Sequence, residues 1–191
     1  TIQAPSAWDY NNRFNNIKIG IVDNGFDTEH EDLNLTVINP NENMNEGILG
    51  DRSHGTHVSG VIGATANNGI GITGIVWNKE LYCADVIPTF FQEIKHVSIL
   101  STYEGIEELL QRGCKVVNMS LGAKDPINDL NTIFDSGMRA TAYILYWIDT
   151  EIQRDDFIIV QAAGNDATDS MRNGDFASIT DTSIKKFLDT Q

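Results

Sequence analysis

The stretch "IKIGIVDNGFD", Ile17 to Asp27, decides the fold class. Its first half, Ile17–Val22, is a short apolar run. It stops abruptly at Asp23-Asn24-Gly25, a turn-forming triplet. An apolar run of this length bounded by turn residues reads as a strand buried on both faces. Three further runs have the same character: "LYCADVI" (Leu81–Ile87), "KVVNM" (Lys115–Met119) and "FIIVQAA" (Phe157–Ala163). Helical patterns separate them. "THVSGVIGATA" (Thr56–Ala66) reads as a helix despite its glycines. "STYEGIEELLQRG" opens at Ser101, an expected N-cap with Glu104 three residues on, and ends at Gly113. A long amphipathic helix is expected from Asp129 to about Arg154, with Leu130, Ile133, Phe134, Met138, Leu145, Ile148 and Ile152 on one face. Alternating strands and helices predict an α/β fold of three layers, α/β/α, with a mostly parallel central sheet.

Composition narrows the partners. The chain has 191 residues, enough for a single domain with a sizeable core. Its net charge is −14, so it offers no basic surface to nucleic acid or to an anionic membrane. It holds no apolar run long enough to span a bilayer. "TIQAPSAWDY" lacks the basic start and apolar middle of a signal peptide. Cys83 and Cys114 cannot form a disulfide framework and read as two small buried thiols. There is no repeat or low-complexity tract.

In parallel sheets, ligands bind beyond the carboxyl ends of the strands. Three segments lie there: Asp23-Asn24-Gly25, Ser120-Leu121-Gly122 and Gly164-Asn165. Asp23 is a carboxylate at a strand end, and His54 is an imidazole at a helix start. A carboxylate bonded to one ring nitrogen fixes the tautomer and frees the other nitrogen to take a proton. Asn165 offers an amide donor for a developing oxyanion. These are parts for acyl transfer; the missing part is a nucleophile. His54 and His57 could instead share a metal, but no third ligand is evident and the H-E-x-x-H pattern is absent.

Four blocks, "IGIVDNGFDTEHEDL", "SHGTHVSGVIGA", "VVNMSLG" and "VQAAGN", resemble the subtilisin-like serine proteases, in that family's order. "IQAPSAW" is similar to the start of the mature protease domain. The resemblance implies that Asp23 orients His54 and that His54 is the general base. It leaves His57 as a helix residue with no catalytic role. It assigns Ser120, Leu121 and Gly122 to the strand that pairs with substrate backbone, and Ala162, Ala163 and Gly164 to another wall of the specificity pocket. Asn165 becomes the oxyanion donor. The loop "ATANNGIGITG" (Ala64–Gly74) resembles a calcium loop of these proteases. Asp32 and Asn68 would give side-chain oxygens, and Ala66, Ile70 and Ile72 backbone carbonyls. The partner implied is a polypeptide substrate, and the address implied is extracellular.

The family's serine stands in a Gly-Thr-Ser-Met-Ala-x-Pro segment well downstream of the asparagine. Only 26 residues follow Asn165 here, and none forms that segment. Ser170-Met171 is a fragment of it in the wrong setting. Residues 1–191 are therefore expected to form part of a subtilisin-like domain, truncated before the portion carrying the serine. Alone they are expected to be inactive, and to associate with themselves or with the missing C-terminal half. The alternative is a non-catalytic binding module. A third reading rests on "VDNGFD" alone, since an Asp-x-Gly turn also occurs in phosphate-binding ATPases. It predicts none of the other blocks, and no Walker-type loop is present.

Overall fold

A computed structural model describes residues 3–9, 16–38, 53–77, 79–86, 99–120, 146, 148–152 and 154–162. Five strands form one sheet: β1 (Lys18–Asp23), β2 (Leu35–Ile38), β3 (Leu81–Asp85), β4 (Cys114–Met119) and β5 (Ile158–Gln161). Their order is β2-β3-β1-β4-β5, and every pairing is parallel. Three helices are described: α1 (Ala4–Trp8), α2 (Ser53–Gly63) and α3 (Ile99–Gln111). The four expected strands are present within one or two residues, as far as they fall among the described residues. β2 and α1 were not foreseen. β2 is four residues long, and β-branched Thr36, Val37 and Ile38 are its only local signal.

Two cores separate by side-chain parity. Val22, Ala84, Val86, Val117 and Met119 face α3, where Ile106, Leu109 and Leu110 meet them. Ile21, Leu81 and Cys83 face the other way, where Val58 and Ile62 of α2 pack. Helices thus cover both faces, giving the three-layer α/β/α arrangement. Gly20 keeps β1 close to α3, since a Cβ there would lie 2.9 Å from Leu109 Cδ1.

The β2-α2-β3 and β3-α3-β4 crossovers travel in the same direction across the sheet. Their helices lie on opposite faces, so the two crossovers have opposite hands. About 98% of such connections are right-handed, so one of these breaks the rule. This exception puts α2 on the face that Asp23 points to, together with Ile21. With equal hands, α2 and α3 would share a face and His54 could not stand over Asp23.

α3 begins at Ile99, so Ser101 lies inside its first turn and is not the cap expected from the sequence. The stop at Gly113 is as expected: its φ is +86° and its N–H closes on Leu110 O at 2.9 Å. Of the long helix expected from Asp129, Tyr146 and a π-helical turn at Ile148–Ile152 are described. Ile152 packs against the α3 core. The rest lies outside the described residues. On the α2 side, β5 presents Ile158 and Val160 at 63% and 49% exposure, so that half of the face is exposed among the described residues.

Cys83 and Cys114 are both fully buried. Burial pushes the Cys83 thiol up to about 12 and the Cys114 thiol up to about 11. A thiol this far from its thiolate is a poor nucleophile. Neither is expected to react with a disulfide reagent at pH 8 in the folded chain, and both should react at once in urea. A rapid native titre of either thiol would contradict the packing.

Candidate active site

Asp23 closes β1, and His54 occupies the first turn of α2. Asp23 Oδ1 lies 2.6 Å from His54 Nδ1 and also accepts the Asn24 N–H at 2.7 Å. Asp23 is fully buried, whereas the His54 side chain is 52% exposed. The carboxylate therefore sits under the imidazole, and the imidazole faces outward. With Nδ1 held by a carboxylate, Nε2 is left as the proton acceptor. Burial raises the Asp23 carboxyl above its ordinary value of 3.8, outweighing the lowering by the His54 and Asn24 hydrogen bonds. Asp23 Oδ2 is buried with no hydrogen-bond partner among the described atoms.

Around this pair, α2 is tied to the end of β1. Gly55 N–H donates to Asn24 O at 2.9 Å, and Thr56 N–H to Gly25 O at 3.1 Å. These are first-turn amides that the helix itself cannot satisfy. Gly55 presses against the turn: a Cβ there would lie 2.8 Å from Gly25 O and from the Phe26 ring. Ser59, fully buried one turn on, returns a bond from Oγ to Gly55 O at 2.7 Å. Sequence reasoning found the pair but not this tether, whose only signal is the small Gly55-Thr56 step after His54.

Ser120 follows β4, where the register of Val22 with Met119 sets it beside Asp23. Its Oγ accepts the Asn118 Nδ2 amide at 2.9 Å. Ala162 follows β5, and its N–H donates to Met119 O at 3.0 Å, so it stands beside the end of β4. Leu121, Gly122, Ala163, Gly164 and Asn165 lie outside the described residues. His57 is exposed on α2.

The sequence and the fold resemble those of known proteins. The profile of the Subtilase family covers residues 15–183. The chain belongs to this family. Subtilisin from Bacillus pumilus is 30% identical over 145 residues, which is 72% of this chain and 48% of that protein. The alkaline protease of Alkalihalobacillus alcalophilus is 33% identical over 138 residues, 71% of this chain and 34% of that protein. The minor extracellular protease Epr of Bacillus subtilis (strain 168) is 32% identical over 121 residues, 63% of this chain and 18% of that protein. Among solved structures, the prenylagaramide maturation protease PagA has a TM-score of 0.59 at 20% identity, over 87% of this chain and 52% of that one. It shares the fold. This subtilase chain thus spans between 18% and 52% of the length of these proteins.

The Ala64–Gly74 loop of the subtilase closes on Asp32, which is 2% exposed. Asp32 Oδ1 accepts Asn68 Nδ2 at 2.7 Å, and Oδ2 accepts the Ile72 N–H at 3.1 Å. Asn68 Oδ1 accepts the Ile70 N–H at 3.1 Å. Gly71, with φ +55°, lets the chain pass against the carboxylate: a Cβ there would lie 2.3 Å from Asp32 Oδ2. Among the described residues no group of three His, Cys, Asp or Glu side chains could hold a metal. Among the described residues, Asp32 and the loop offer one carboxylate, one amide oxygen and backbone carbonyls.

Proposed function

We propose that this chain is the Asp–His portion of a serine-type endopeptidase, completed by a serine outside these 191 residues. One observation carries the reading: a fully buried Asp23 bonded at 2.6 Å to Nδ1 of an outward-facing His54. The substrate is an extended polypeptide. Its backbone pairs with Ser120–Gly122, and Ala162–Gly164 wall its side-chain pocket. The serine hydroxyl passes its proton to His54 Nε2 as its oxygen attacks the scissile carbonyl. Asp23 holds the imidazolium that forms, and Asn165 donates to the oxyanion. His54 then returns the proton to the leaving amine.

The portion that supplies the serine also covers the bare half-face of β5. Parallel sheets are found covered on both sides, and Ile158 and Val160 are the apolar groups awaiting that cover. The 191 residues are thus part of one domain, and the isolated chain associates through this face. An extracellular address is in keeping with the name of the matched Bacillus subtilis protease.

A fluorophosphonate probe tests the reading. The chain alone should take no label. Co-refolded with the part of Bacillus pumilus subtilisin that the match leaves uncovered, the mixture should take label, and His54→Ala should abolish it. Label on the chain alone would place a nucleophile within it. No label in the mixture would favour a non-catalytic binding module.

The Asp32 loop is our candidate calcium site. Asp32 and Asn68 would hold the ion with the carbonyls of Ala66, Ile70 and Ile72, an oxygen-only set suited to calcium. The Asn68 amide must turn its oxygen inward, giving up the Ile70 bond. A single carboxylate and that exchange predict weak binding, with Kd on the order of 10⁻⁴–10⁻³ M. Calcium at 10 times that concentration should raise the Tm and magnesium should not. An unchanged Tm would remove calcium from the site.

A further inference from the structure

We infer that Thr56 is a positioning residue for His54, acting through the backbone of the turn that follows Asp23. The inference rests on the Asp23–His54 reading above but extends it to a side chain outside the pair. Thr56 Oγ accepts the Asp27 N–H at 2.8 Å. Thr56 N–H donates to Gly25 O at 3.1 Å, and Gly55 N–H to Asn24 O at 2.9 Å. Three hydrogen bonds therefore join residues 55–56 to residues 24–27. The first segment directly follows His54, and the second directly follows Asp23.

Two of the three bonds are backbone to backbone, and any residue could make them. The third needs a side-chain acceptor at position 56, which makes Thr56 the one replaceable element. It also locks the far end of the turn. Asp27 Oδ1 accepts the Glu29 N–H at 3.1 Å, so the Asp27 backbone is already folded back when Thr56 binds it. Without the Thr56 acceptor, the turn loses its hold at the Asp27 end and can pivot about the Asn24–Gly55 and Gly25–Thr56 backbone bonds. Gly25, with φ +73°, supplies the conformational freedom for that pivot. The cost falls on the Asp23–His54 bond. At 2.6 Å it has little slack, and a shift of a few tenths of an ångström between the segments would lengthen it. The effect of Thr56 on the imidazole is indirect, through α2 and the turn.

The tautomer of His54 reads this linkage without any nucleophile. Neutral imidazole bonded to Asp23 carries its proton on Nδ1; released, it shifts toward the Nε2–H form. Two-bond proton–nitrogen spectra of the 191-residue chain report that ratio. Thr56→Val keeps the shape and removes the acceptor. It should shift the His54 tautomer ratio toward Nε2–H by about threefold or more, and speed exchange of the Asp27 amide by about tenfold. Thr56→Ser should restore both. Should the Val variant not fold, Thr56→Ala, which adds no atoms, reads the same two signals. An Asp27 amide that exchanges faster while the His54 tautomer stays put would reduce Thr56 to a purely structural residue and overturn the inference. Neither result depends on peptide hydrolysis, so the linkage and the protease reading can fail separately.

Discussion

Asp23→Asn should lower turnover of the serine-completed protease by about 10⁴ while raising the Tm of the 191-residue chain. The two effects have one origin. Asp23 carries a charge at zero exposure, with Oδ2 unpartnered, because the imidazole above it needs a negative acceptor on Nδ1. An amide can accept the His54 and Asn24 hydrogens on one atom, but it no longer stabilises an imidazolium, and it permits the wrong tautomer. Triad carboxylates lost in this way cost about 10⁴ in kcat. The stability gain follows from the direction of the pKa shift. Burial raises the folded carboxyl above its ordinary value of 3.8, so the folded state holds the proton more tightly than the unfolded chain. Stability is therefore lost as pH rises from the unfolded value through the raised folded value, and is flat above it. The Asn variant should lack that slope and be the more stable form at neutral pH. Melting curves of both proteins from pH 3 to 8 check the sign. A lower Tm for the variant at pH 7 would mean that the hydrogen bonds to Asp23 outweigh its desolvation.

Gly74→Ala should destabilise the chain by about 3 kcal/mol, the upper part of the range for overpacking. A Cβ at Gly74 would lie 2.5 Å from Ala64 N, 2.6 Å from Gly63 Cα and 2.7 Å from the Gly63 carbonyl carbon. All three are backbone atoms, so no side chain can rotate away. The site matters because the loop caps the end of α2. Gly74 N–H donates to Ala64 O at 3.0 Å, Ile75 N–H to Val61 O at 3.1 Å and Val76 N–H to Ile62 O at 2.8 Å. A displaced Gly74 breaks this run, leaving helix carbonyls unmet. Gly69→Ala is the control. Gly69 has φ +75° and nothing within 4 Å of an added Cβ, so its cost is conformational, about 1 kcal/mol. Urea midpoints at constant m-value separate the two. Equal losses would mean that the loop moves off α2 at little cost.

The sequence was most legible where one physical rule governs a segment. Continuous apolar runs ended by turn residues located β1, β3, β4 and β5, because a strand covered on both faces leaves no room for polar alternation. The acid at the end of β1 and the imidazole within Ser53-His54-Gly55-Thr56 announced the site, and the two do meet. Boundaries were less legible. Ser101 looks like a cap, yet α3 extends through it to Ile99, since packing of the helix against the sheet outweighs a local capping preference. β2 escaped because four residues in a polar setting carry little pattern. Its strand character comes from the register of Leu35 with Leu81 and Ile38 with Ala84, a tertiary fact. The tether of Gly55 and Thr56 to residues 24–27 was illegible for the same reason. It consists of two backbone bonds and one to the Thr56 hydroxyl, between segments that only the fold brings together.

The strand order also governs how fast this protein can reach its structure. Among the described strands β1 comes first in sequence and sits in the middle of the sheet, yet its partners arrive much later: Ile19 pairs with Leu81, and Lys18 with Cys114. No strand pairs with a sequence neighbour through a tight hairpin, since all pairings are parallel. Each ladder must close a long loop before it gains anything, so folding should be slow, on the order of seconds or longer. The barrier that delays entry also stands in the way of exit. Once assembled, the chain should resist unfolding for longer than its equilibrium stability alone implies.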